Sequence, residues 1–72
     1  MAVEEIHAEM VSSVWKVLVS PGVQVAAGDT LVILESMKME MPVEAEDSGT
    51  VAEIRCSEGQ AVSEGDTLVV LE

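Results

Sequence analysis

The chain has 72 residues, with 14 acidic side chains against three Lys and Arg and a formal net charge of −11. That length gives one small domain with a modest core, and its charge argues against a nucleic-acid partner, whose phosphates need Lys and Arg. A single aromatic residue leaves no platform for stacking bases, while the acidity favours solubility and steering toward partners with basic surfaces.

The first residues, Met1-Ala2-Val3-Glu4-Glu5, lack the basic and apolar regions of a signal peptide. No apolar run approaches the roughly 20 residues needed to cross a membrane. We therefore expect a cytoplasmic domain without a membrane partner. Residues 3–9 alternate weakly and predict an edge strand with Ile6 and Ala8 inward. In the next strand Trp15, Val17 and Val19 fall on one face, with Lys16 on the other. That pattern assigns Trp15 to the core. Ser20-Pro21-Gly22-Val23 places Pro and Gly at the centre of a type II turn, where Gly supplies the positive φ. Gly28-Asp29 then opens the apolar run Leu31–Leu34. These glycines are backbone devices: Gly22 and Gly28 have five residues between them and no Lys follows, so they do not form a phosphate loop.

The second half repeats the first. Shifted by 37 positions, residues 2–35 overlay residues 39–72, and Gly28-Asp29-Thr30-Leu31-Val32-Ile33-Leu34-Glu35 differs from its counterpart 65–72 only at Ile33/Val70. Val43 and Ala45 correspond to Ile6 and Ala8, and Ala52, Ile54 and Cys56 to Trp15, Val17 and Val19. Ser57-Glu58-Gly59-Gln60 can make the same turn as residues 20–23. The lone Cys56 cannot form an internal disulfide, and its counterpart Val19 marks it as a small core residue. The offset and the turn chemistry predict an all-β flattened barrel of two four-stranded antiparallel sheets with pseudo-two-fold symmetry. The links are too short for parallel crossovers.

Only Ser36-Met37-Lys38 falls between the two copies. Local propensity over residues 34–41 favours a helix, but Pro42 would stop it at once, and the equivalent run Leu68–Leu71 ends with the chain. We read a hairpin with Met37-Lys38 at its turn, where Asn-Gly would be the ordinary choice. Violations of this kind are expected at functional sites.

Ser36-Met37-Lys38-Met39, preceded by Glu35 and centred in this repeat, resembles the tip motif Ala/Ser-Met-Lys-Met of the biotinyl domain family of biotin carboxyl carrier proteins. The similarity covers nearly the whole chain, 1–72, including the spacing of Gly22, Gly28, Gly59 and Gly65. Lipoyl domains share the architecture but typically carry Asp-Lys-Ala at the tip, where this chain has Met37-Lys38-Met39. One departure lies at Ser12, where the family usually has Gly and the second half keeps Gly49; if that position needs positive φ, Ser costs about 1–2 kcal/mol.

The resemblance implies biotin joined by an amide to Lys38, with Glu35, Ser36, Met37 and Met39 as flanking recognition residues. It implies three partners: a biotin protein ligase, a biotin carboxylase and a carboxyltransferase. His7, the only histidine, cannot build a metal cluster, and although a Ser–His–acid triad is possible by inventory, a chain this small offers little room for a substrate pocket. Glu44, Glu46 and Asp47 lack calcium-loop spacing and read as a solvated face. Lys16, the only competing lysine, lies mid-strand. We expect a monomeric, non-catalytic carrier, with the initiating Met and compact repeat consistent with a free subunit. A lipoyl carrier and an unmodified docking module are the alternatives.

Overall fold

The structure is a computed structural model that describes residues 3–72; the start of the first repeat unit at Ala2 lies outside the described residues. Eight strands follow in order: β1 (Glu4–His7), β2 (Ser12–Val17), β3 (Gln24–Val25), β4 (Thr30–Ser36), β5 (Met39–Glu44), β6 (Gly49–Ile54), β7 (Ala61–Val62) and β8 (Thr67–Leu71). They form two four-stranded sheets, ordered β1-β8-β6-β3 and β5-β4-β2-β7, with every pairing antiparallel. The molecule measures 36 × 18 × 17 Å.

The repeat in sequence becomes a repeat in hydrogen bonding. Val23 N–H donates to the Ser20 carbonyl at 3.1 Å, and Gln60 N–H to that of Ser57 at 3.0 Å. Gly22 and Gly59 take φ of 93° and 88°, which the type II turn demands at that place and which a side chain resists. Each half also clasps the other. Gly28 N–H donates to the Ala45 carbonyl and Gly65 N–H to that of Ala8, at 2.8 and 2.9 Å. The Asp29 and Asp66 carboxylates accept from the amides of Ala26 and Ser63, each at 2.8 Å, and so lock the turns that precede β4 and β8.

The core lies between the sheets. Leu31, Val32, Leu68 and Val69 are wholly buried, and Val14 and Val51 nearly so, with Ile6, Ala8 and Ala45 among the other core residues. Cys56 is buried there too, and desolvation pushes its thiol up from the ordinary value.

Two expectations need correction. Trp15 is 42% exposed and is not a core residue. A β-bulge between Val14 and Lys16 inserts one extra residue into β2, so Val14 and Val17 both face inward while Trp15 and Lys16 face out. The same irregularity recurs between Val51 and Glu53, which likewise turns Ala52 to solvent. Lys16 Nζ sits 5.6 Å from the Trp15 ring centroid, a cation–π distance. The second correction concerns Ser12 and Gly49, neither of which has positive φ. Gly49 is small for another reason: a Cβ there would lie 3.1 Å from the Glu72 carbonyl oxygen. Ser12 carries no backbone penalty, and its buried hydroxyl donates to the Met10 carbonyl at 3.1 Å.

Candidate attachment site

β4 and β5 form a hairpin in which Leu34 faces Met41, Glu35 faces Glu40 and Ser36 faces Met39. This register is fixed from below. Val32 and Leu34 are buried, and a slip of one residue would turn both outward. Only Met37 and Lys38 remain to close the hairpin, and they do so with φ of 52° and 67°. Positive φ at both central residues is the signature of a type I′ turn, whose twist matches that of the flanking strands. A non-glycine residue pays about 1–2 kcal/mol for this left-handed conformation. Here two such residues sit side by side, held by the strands beneath them.

The turn displays its side chains. Met37 is 92% exposed and Met39 65%, and Lys38 between them is exposed as well. Lys38 makes no ion pair among the described residues; the pairs formed there are His7–Glu5 and Arg55–Glu53. Glu35 and Glu40 are exposed and directly opposite, two like charges at the base of the tip, while Ser36 is half-buried. The structure therefore brings Glu35, Ser36, Met37, Lys38 and Met39 together at one apex. Glu40, the next residue in sequence, stands directly opposite Glu35. Lys16 lies instead on the outer face of a sheet, its Nζ over the Trp15 ring.

Repeat symmetry explains why the apex stands alone. Glu4 faces Leu71 as Met41 faces Leu34, and Ile6 faces Val69 as Val43 faces Val32. The β8–β1 pair is thus a copy of the β4–β5 hairpin without its connecting turn. Its open end lies at the far pole, where Glu4, Asp47, Ser48, Leu71 and Glu72 surround a shallow hollow of ≈ 130 Å³.

An amine on a strained, exposed two-residue turn at one pole of a symmetric double-sheet barrel defines a carrier-type attachment domain. The chain belongs to the biotin/lipoyl attachment family: the family model described as "Biotin-requiring enzyme" matches residues 3–71. It is 55% identical over 49 residues to the biotinylated protein TB7.3 homolog of Mycobacterium leprae (strain TN), covering 68% of this chain and 69% of that one. To the biotin/lipoyl attachment protein of Bacillus subtilis (strain 168) it is 49% identical over 43 residues, 60% of this chain and 59% of the relative. Among solved structures, the Kluyveromyces lactis urea carboxylase matches all of this chain with a TM-score of 0.92 at 36% identity. A single-chain, multi-domain long-chain acyl-CoA carboxylase matches 94% with a TM-score of 0.89 at 32% identity. This chain spans only 6% and 7% of those two carboxylase chains.

Proposed function

We propose that this chain is a biotin carboxyl carrier, non-catalytic itself, with biotin joined through an amide to Lys38 Nζ. The observation that carries the reading is Lys38 at the apex of a left-handed turn, between two exposed methionines. Family membership and the likeness to two carboxylases support it.

The chain's own residues do three things. The register of β4 and β5 fixes where the amine stands, so a ligase meets it in one geometry. Met37 and Met39 offer flexible apolar contact to an enzyme surface. Glu35 and Glu40 set a negative charge at the base of the tip, which marks the approach for cationic groups on a partner. The Lys38 nitrogen, as free amine, would attack the biotin carboxyl carbon after the ligase has activated it with ATP. The C–N bond forms as the bond to the activating group breaks, and the proton lost from nitrogen passes to the ligase. Lys38 would hold biotin, whose ureido ring would supply the site that accepts and gives up carboxylate between a biotin carboxylase and a carboxyltransferase.

The test is co-expression with a biotin protein ligase, followed by intact mass and peptide mapping. One biotin per chain is expected, on Lys38. Lys38→Arg abolishes the adduct, whereas Lys16→Arg keeps it. A lipoyl mass, or biotin on Lys16, contradicts the proposal.

A further inference from the structure

The edge strands β1 and β5 belong to different sheets, yet they border one groove of ≈ 440 Å³. Under the 37-residue offset these strands are copies of each other, so the groove straddles the pseudo-two-fold axis. Its apolar floor comes from Ile6, Leu34, Met41 and Val43. Met41 and Val43 are only half-buried, unlike the other two. Carboxylates of Glu4, Glu5, Glu9, Glu44 and Glu46 line the same groove, and none of the chain's three Lys and Arg residues does. His7 also lines it, hydrogen-bonded at 3.2 Å to Glu5.

Glu5, Glu9, Glu44 and Glu46 are exposed, so their carboxylates are open to a partner, and a guanidinium supplies donors in a fork suited to a carboxylate.

We infer that this groove docks a short segment of a partner protein in which apolar side chains alternate with arginine. The apolar residues meet the floor and the arginines meet the carboxylate rim. Charge decides against the other occupants: a second copy at −11, an anionic membrane and a nucleic acid would all be repelled. Pro42 in the middle of β5 removes one backbone donor, so side chains carry the contact rather than an added strand. The groove also has a useful position. Met41 is three residues from Lys38, roughly 10 Å along an extended strand, so a segment held there keeps the tip beside the protein that carries it. The inference concerns β1 and β5 and stands whether or not Lys38 is modified.

The test uses the full chain, labelled with ¹⁵N, and a short synthetic peptide alternating leucine with arginine. Amide shifts are expected at Glu4, Glu5, Ile6 and His7 and at Met41, Val43, Glu44 and Ala45, and not at Met37 or Lys38. Replacing leucine by serine, or arginine by glutamate, removes binding. The double variant Glu44→Lys/Glu46→Lys keeps the dispersed spectrum of the folded chain and binds about tenfold or more weakly. The inference is overturned by no shift up to about 1 mM peptide, by shifts confined to the tip, or by equal binding of the serine peptide. Co-sedimentation with anionic phospholipid vesicles overturns it too, as would dimerisation through the labelled residues.

Discussion

Met37 and Lys38 hold backbone conformations that their side chains disfavour, and nothing in the core requires either residue by type. The strain therefore has a direct readout. Met37→Asn keeps the left-handed geometry with a residue that tolerates it, and should raise stability by about 0.5–1 kcal/mol in urea unfolding. Unchanged or lower stability would show that the turn is unstrained. The same variant separates folding from recognition: it preserves Lys38's position while removing one exposed apolar contact, so ligase turnover should fall as stability rises. The place of Lys38 at the hairpin turn was legible in the sequence, because the two repeat copies left a three-residue seam with a lysine in it. Glu40 was legible as a neighbour of Lys38; its position directly opposite Glu35 comes from the strand register. Trp15 was misread for a physical reason: Trp15, Val17 and Val19 alternate perfectly, and a bulge breaks that alternation without any Gly or Pro to announce it. The signal lay in the repeat. Val14 is matched by an identical Val51, whereas Trp15 is matched by Ala52, a change of size that a solvent position accepts and a tight core resists.

At the scale of elements, four glycine turns and two reciprocal clasps define the ends of the strands. Gly65 has φ of 91°, and a Cβ added there meets nothing within 4 Å. Gly65→Ala should then cost about 1–2 kcal/mol through the backbone alone. Gly65→Asn should cost less than half as much, since asparagine enters the left-handed region more readily. Chemical denaturation of the two variants measures the difference; equal losses would point to packing and not to φ. These turns were readable from Ser-Pro-Gly and Gly-Asp because each residue type has its own mechanism there. The role of Gly49 was not readable, because its neighbour is Glu72, the chain's last residue, and that approach exists only once β6 and β8 have paired. The β1–β5 groove was hidden for the same reason: sequence shows two edge-like strands, but not that they lie together across two sheets.

The whole molecule is a duplicated half closed at one pole by a turn and left open at the other. Duplication gives a small chain one continuous core that neither half could bury alone. It also gives a rigid support for the lysine that, on the proposed function, several enzymes reach in turn. The hairpin carries that lysine at its apex, and the net charge of −11 disfavours approach of other strongly anionic bodies. Family membership and fold place the chain among attachment domains; carriage of carboxylate is the claim that most needs its own measurement. That measurement is incubation of the biotinylated protein with a biotin carboxylase, ATP and labelled bicarbonate, with Lys38→Arg and unmodified protein alongside. Label is expected on the biotinylated wild type alone, in an amount not exceeding its biotin content. A carboxylase that labels free biotin but never this protein would contradict the account.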